Sequence, residues 1–175
     1  EDGWHYRCPD GSLGRGGWEL IDGLWYDCNM DGLRLTGWQN VDGRYYYLQP
    51  DGQMAVGWAR VGEKWYYFRP EEEAGEPVGS MAGPGWKVIG PYYYDFNDDG
   101  SLYTGGLSLN GKRYYLNTVD NSLQGAMFTG WIIRDGQTFY ADSNGELVEG
   151  WCQIDGNWYY FHPGSYEMAR DTRIS

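Results

Sequence analysis

No run of apolar residues in this 175-residue sequence approaches the ~20 that a membrane-spanning helix needs, so no insertion by that route is expected. The opening residues, Glu1-Asp2-Gly3-Trp4, have neither the basic start nor the apolar run of a signal peptide. They begin inside a partial repeat, and we therefore expect a piece of a longer, secreted chain. Basic residues are scarce: 13 Lys and Arg stand against 25 Asp and Glu, a net charge of −12. A field of that sign repels a phosphate backbone, so no nucleic-acid partner is expected, and a cationic, zwitterionic or neutral ligand suits it better. The acidity also serves simply to keep an aromatic-rich chain in solution.

Catalytic chemistry is missing too. The two histidines, His5 and His162, lie in no catalytic motif, and the carboxylates sit in turns and in one acidic loop. We expect no enzyme activity, no cofactor and no metal. Asp95-Phe96-Asn97-Asp98-Asp99-Gly100 imitates the opening of a calcium loop, but Gly106 stands where the bidentate Glu belongs, and turn chemistry explains it better. Of three cysteines, Cys8 and Cys28 lie one repeat apart. They read as small buried apolar groups, with a disulfide between them as the alternative; Cys152 reads as a buried thiol.

What the sequence has is aromatic residues and glycine. Ten Trp and seventeen Tyr outweigh the aliphatics, and 28 Gly mean frequent tight turns. Gly-Trp recurs at Gly17-Trp18, Gly37-Trp38, Gly57-Trp58, Gly85-Trp86, Gly130-Trp131 and Gly150-Trp151, with Gly105-Gly106 where another would fall. The dominant step is 20 residues. Two steps carry insertions, an acidic, Pro- and Gly-bearing stretch at about 69–84, read as a solvated loop, and a shorter one at about 117–125.

Each unit reads as a hairpin. In Trp38-Gln39-Asn40-Val41, Asp42-Gly43, Arg44-Tyr45-Tyr46-Tyr47-Leu48, the Asp-Gly pair suits a type I′ turn, and a two-residue loop fixes the register so that Trp38 opposes Tyr47 and Asn40 opposes Tyr45. Trp38, Asn40, Tyr45 and Tyr47 then share one face, and Val41, Tyr46 and Leu48 the other. A lone hairpin with apolar groups on both faces is marginal in water, but a stack of them buries one face and forms pockets with the other. The expected fold is all-β, a solenoid of stacked β-hairpins: residues 1–175 as a single repeat domain of seven to eight units.

The order Gly-Trp, Asp-Gly, Trp-Tyr-Tyr, then Asp-Gly-x-Met before the next Gly-Trp resembles the cell-wall-binding repeat family over nearly the whole chain. It is clearest from Gly57-Trp58 to Trp65-Tyr66-Tyr67-Phe68 and from Gly150-Trp151 to Trp158-Tyr159-Tyr160-Phe161. That family includes the choline-binding modules of Gram-positive surface proteins, the glucan-binding repeats of glucansucrases and receptor-binding repeats of clostridial toxins. In choline-binding members the resemblance implies a pocket made by the Gly-Trp tryptophan, the aromatic residue seven positions on, an aromatic of the next hairpin, and a closing Met or Leu. Carried over, this groups Trp18 with Trp25 and Tyr45, Trp38 with Tyr45 and Trp65, and Trp58 with Trp65 and Tyr93. Met54 closes the second pocket and Met81 the third, while Arg34 stands where the first should close and opposes an ammonium there.

The second half departs from the pattern. Gly106 replaces a tryptophan, Arg113 and Thr138 replace the aromatic seven residues on, and Trp131 keeps only Trp158. Trp151 and Trp158 form a half-pocket that later residues or a second chain would complete, which makes a homodimer through the C-terminal hairpin conceivable. The expected function is non-catalytic anchoring of an extracellular protein on a Gram-positive cell surface or wall, through choline groups of (lipo)teichoic acid. The alternatives are a glycan-binding module, since flat rings also stack on sugars, and a structural or adhesin rod that meets a host protein and uses its Trp and Tyr as packing.

Overall fold

The computed structural model describes residues 16–170. In them the chain forms fourteen five-residue strands: β1 (Gly17–Ile21), β2 (Leu24–Cys28), β3 (Gly37–Val41), β4 (Arg44–Leu48), β5 (Gly57–Val61), β6 (Lys64–Phe68), β7 (Gly85–Ile89), β8 (Tyr92–Phe96), β9 (Gly105–Leu109), β10 (Lys112–Leu116), β11 (Gly130–Arg134), β12 (Gln137–Ala141), β13 (Gly150–Ile154) and β14 (Asn157–Phe161). Consecutive strands pair two by two into seven separate two-stranded sheets, so the all-β hairpin-repeat fold expected from the sequence is the one formed. The described chain falls into two compact units, one within Glu1–Gly85 with Phe96–Leu102 and the other within Trp86–Asp95 with Tyr103–Ser175.

The turns follow from their residues. Asp22, Asp42, Asn110, Asp135 and Asp155 all have φ between 48° and 52°, and each is followed by a Gly with positive φ. Two left-handed residues in succession make the type I′ turn, whose twist matches that of the strands. Gly62-Glu63 and Gly90-Pro91 carry positive φ on the first residue alone, the II′ arrangement, which is why glycine comes first there. The register is the expected one: Trp38 opposes Tyr47, Gln39 opposes Tyr46 and Asn40 opposes Tyr45.

The last residue of each second strand is the core. Cys28, Leu48, Phe68, Phe96, Leu116, Ala141 and Phe161 are between 0% and 2% exposed. Cys28, Leu48, Phe68, Leu116, Ala141 and Phe161 each oppose the glycine that opens the first strand, as Leu48 opposes Gly37 and Phe68 opposes Gly57, so no side chain across the ladder competes for the space. Burying one Leu or Phe there contributes about 1.5–3 kcal/mol. Cys28 holds the inward position expected of it; Cys8, and with it any bridge between the two, lies outside the described residues.

Hairpins are joined by short straps that bond in two directions. Met54 N–H donates to Trp25 O, one hairpin back, at 2.8 Å, while Ala55 N–H donates to Tyr47 O of its own hairpin at 2.8 Å. Met81 to Tyr45 and Leu102 to Trp65 repeat the backward bond in the first unit; Met127 to Tyr93, Leu147 to Arg113 and Met168 to Thr138 repeat it in the second. This bond sets the spacing and orientation of neighbouring hairpins within a unit, and it is what positions the cages.

Candidate ligand cages between hairpins

When one hairpin stacks on the next, the outer face of the first meets the inner face of the second. Trp18 and Trp25 lie on the outer face of β1–β2, since Trp18 opposes Asp27 and Leu20 opposes Trp25. The ring that reaches them must come from the inner face of β3–β4, and that is Tyr46: its ring centroid is 4.9 Å from that of Trp18. Burial pushes the Tyr46 phenol above its ordinary pKa, which keeps it neutral at the cage wall. Tyr45, expected in this cage, points to the opposite face together with Trp38.

The same parity holds along the chain. Trp38 meets Tyr66 at 4.9 Å, Trp86 meets Tyr114 at 5.4 Å, and Trp131 meets Tyr159 at 4.9 Å. The third ring is therefore the residue eight positions after the next Gly-Trp tryptophan, not seven. Trp65 and Trp158 are not the partners of Trp38 and Trp131; they stand beside Trp58 and Trp151 on the outer faces of their own hairpins. Tyr93 likewise belongs to the β7–β8 hairpin with Trp86, and its carbonyl receives the Met127 N–H at 2.8 Å.

The closing residue also shifts by one repeat. Because Met54 is bonded back to Trp25, it closes the Trp18 cage, and Met81, bonded to Tyr45, stands at the Trp38 cage. Arg34 occupies the preceding strap, with its guanidinium 4.2 Å from the centre of the Tyr26 ring. It is not among the residues that line the Trp18 cage.

The first cage encloses about 320 Å³, at the small end of ligand pockets, and is walled by Trp18, Trp25, Tyr46 and Met54, with Glu72, Pro77 and Val78. The last three were missed by sequence reasoning, which left the acidic insertion in solvent. The insertion is a small hairpin of its own: Glu73 and Glu76 exchange backbone bonds around Ala74 and Gly75, both at positive φ. Arg44 holds it down by donating from Nε to Glu76 at 2.8 Å. The signal for this was the Arg44–Glu76 charge pair, 32 residues apart and invisible without the stack. Glu72 brings a carboxylate to a cage otherwise built of rings and a thioether.

In the second unit a cavity of about 350 Å³ occupies the corresponding position on Gly106 and Arg113, with Phe139 and Leu147 where Tyr46 and Met54 stand in the first cage. At the seventh hairpin Trp151 and Trp158 are 59% and 63% exposed, a half-cage. The calcium-like segment is a turn: Asp99 Oδ1 accepts from the Ser101 N–H at 2.9 Å and its Oδ2 from Lys64 Nζ at 2.6 Å. Among the described residues no cluster of three or more His, Cys, Asp and Glu is placed to hold a metal.

Stacked two-stranded hairpins with aromatic cages between them define a repeat-built binding module. A choline-binding repeat family model matches residues 35–74 and 128–172. Among solved structures the chain is similar to CbpJ of Streptococcus pneumoniae TIGR4, with 35% identity, 97% of this chain and 57% of that chain covered, and a TM-score of 0.73. Choline binding protein F of the same organism, solved with a peptidoglycan analogue, matches with 32% identity over 94% of this chain and 55% of its own, at a TM-score of 0.75. The Cpl-1 endolysin, complexed with a peptidoglycan analogue, matches at 25% identity, 77% and 37% coverage and a TM-score of 0.51. No curated protein sequence matches the chain significantly. The chain belongs to the choline-binding repeat family, and it spans little more than half the length of the two pneumococcal proteins.

Proposed function

We propose that this chain is a non-catalytic module that holds an extracellular protein on the surface of a Gram-positive bacterium by taking choline groups of teichoic or lipoteichoic acid into the cages between its hairpins. The observation that carries this reading is the cavity of Trp18, Trp25, Tyr46 and Met54 with Glu72 at its wall. Ring faces attract a methylated ammonium by about 0.5–2 kcal/mol per well-placed contact, more as water is excluded, and the thioether supplies an apolar lid. Glu72 adds a formal negative charge, which complements that of an ammonium. Choline binding protein F supports the same ligand class by its name and supports a cell-wall setting by its peptidoglycan-analogue complex.

Trp38 with Tyr45, Tyr66 and Met81 is the second cage of this kind, Trp58 with Trp65 and Leu102 supplies walls of a third, and Trp86 with Tyr93, Tyr114 and Met127 is a further one in the second unit. Several modest cages on one chain gain by avidity on a polymer with repeated choline groups. The exposed pair Trp151 and Trp158 is half of a cage, to be completed by a following repeat or by a second copy of the chain.

The test is a titration of the 15N-labelled chain with choline and with tetramethylammonium, followed through the indole resonances of its tryptophans. Both cations should shift the Trp18 and Trp25 resonances saturably at millimolar concentration, and Trp18→Ala with Trp25→Ala should remove that response while the remaining indole signals hold their positions. Glucose oligomers that shift these indoles where choline does not would replace this reading with glycan binding.

A further inference from the structure

The cavity on Gly106 and Arg113 keeps the frame of a cage and reverses its chemistry. Leu147 N–H donates to Arg113 O at 2.8 Å, the bond that Met54 makes to Trp25 O at 2.8 Å in the first cage. The strap is therefore in register, but the two tryptophan positions hold a glycine and a guanidinium. Gly106 is not a backbone requirement: its φ is outside the left-handed region, and a Cβ there would meet nothing within 4 Å. The missing ring opens space that a tryptophan would have filled, and the space is retained as about 350 Å³.

Arg113 is set up as a receptor rather than as one half of an ion pair. It donates to Ser108 Oγ, its guanidinium lies 6.0 Å from the centre of the Tyr166 ring, and among the described residues no carboxylate pairs with it. Tyr166 reaches this cavity from the strap after β14 at a φ of +62°, in the place two residues before the bridging residue where the other straps have a glycine at positive φ, such as Gly145 before Leu147, so here a bulky side chain is held in a conformation that costs it. That strap is one residue longer than the one after β12: Phe161 bridges to Met168, whereas Ala141 bridges to Leu147. A second guanidinium, Arg134, lies over Tyr115 at 5.1 Å on the cavity wall, next to its ion-pair partner Asp135 at 3.1 Å.

An ammonium entering here would meet Arg113 where the other cages offer a ring, and would be repelled. A planar guanidinium with free N–H groups, flanked by hydroxyls and floored by Phe139 and Leu147, matches an oxyanion. We propose that this cavity binds a phosphate group, so that one chain reads both charges of a polymer carrying phosphate and ammonium groups: the ammonium in the aromatic cages and the phosphate at Arg113. The site does not depend on the cages being choline sites, and it is tested separately from them.

The experiment uses the full chain with choline held at saturation, and follows the Arg113 side-chain Nε resonance, assigned by its loss in Arg113→Gln. The probes are dimethyl phosphate for a polymer diester, inorganic phosphate for a free or terminal phosphate, and a neutral glucose oligomer. Saturable shifts of Arg113 with either phosphate, weakening as salt is raised and at least about tenfold weaker in Arg113→Gln by competition, are expected, and the probe that binds better identifies the source. An unchanged melting temperature and indole spectrum in Arg113→Gln report that the fold is intact, whether or not the cages take choline. A second variant, Gly106→Trp with Arg113→Tyr, should lose phosphate and gain a choline-responsive indole. The proposal is overturned if neither phosphate moves Arg113, if Arg113→Gln binds phosphate as well as the parent, or if only the neutral oligomer shifts it.

Discussion

Residue by residue, the site turns on parity along a strand. Tyr45 and Tyr46 are adjacent and chemically identical, yet only Tyr46 lies against Trp18, because side chains alternate between faces and stacked hairpins meet through opposite faces. The faces of β3–β4 were legible in the sequence, as was the placing of Trp18 and Trp25 together, whereas Met54, expected at Trp38, lines the cavity at Trp18. What misled the grouping was the assumption that the ring seven positions on serves two cages, although that ring shares a face with its own Gly-Trp tryptophan and is turned away from the previous one. Substitutions separate the two assignments. Tyr46→Leu keeps apolar volume at a buried position while removing the ring, and should weaken choline at the Trp18 cage by about 2- to 30-fold, the worth of one cation–π contact. Tyr45→Leu should leave the Trp18 and Trp25 indole titration within about twofold of the parent and alter that of Trp38. Equal losses from both would mean that the cage is not built as described.

At the scale of elements, the straps do what the hairpins cannot. Each closing methionine is buttressed by a glycine of the following strap: a Cβ at Gly79 would lie 2.3 Å from Met54 Sδ, one at Gly100 would lie 2.2 Å from Met81 Cε, and one at Gly145 would lie 2.4 Å from Met127 Sδ. Glycine at these turns thus meets two demands, a positive φ and an empty space for the lid of a cage one repeat back. The turn demand was readable at Asp99-Gly100 but not at Gly79, which follows Val78; the steric one was readable at neither, because it joins residues brought together only by stacking. The acidic insertion was opaque for the same reason, since nothing local in Glu71-Glu72-Glu73 says that it folds over Trp18 and Trp25. Gly79→Ala should cost about 1–2 kcal/mol for the left-handed backbone alone and should also displace Met54, weakening choline at the first cage. Placing the same change in a Met54→Ala background separates the two effects. There the backbone cost should persist in the melting temperature, while the further loss of choline binding should vanish.

For the molecule as a whole, the charge of −12 must be reconciled with a stack of closely spaced straps. Part of the answer is that three of the cations are used as stitches, each from the start of a second strand to the strap beyond the next hairpin. Arg44 meets Glu76 at 2.8 Å and Lys64 meets Asp99 at 2.6 Å in the first unit, and Lys112 meets Glu146 in the second. These pairs are exposed and individually weak, but they set how stability depends on pH. Asp99 is held well below the usual carboxylate range, first by the Lys64 hydrogen bond and then by those from Ser101, and Glu76 is lowered by Arg44. A carboxylate lowered on folding stabilises the fold fully above its unfolded pKa near ~4, and the contribution is lost as pH falls through the folded value. Asp27, raised by burial, runs the other way and regains stability in acid. At the alkaline end, Tyr46, Tyr66 and Tyr94 are raised by burial, so their contribution is present below the ordinary phenol value of ~10 and is lost as they are forced to ionise. The melting temperature should therefore be flat from about pH 5 to pH 9 and fall on both sides. Asp99→Asn should melt below the parent at pH 7, with the gap narrowing as pH drops below about 4, because protonation removes from the parent what the substitution has already removed. A gap that stays constant down to pH 2 would show that the Asp99 charge contributes nothing, and would leave its turn-forming bonds to Ser101 as the whole of its role.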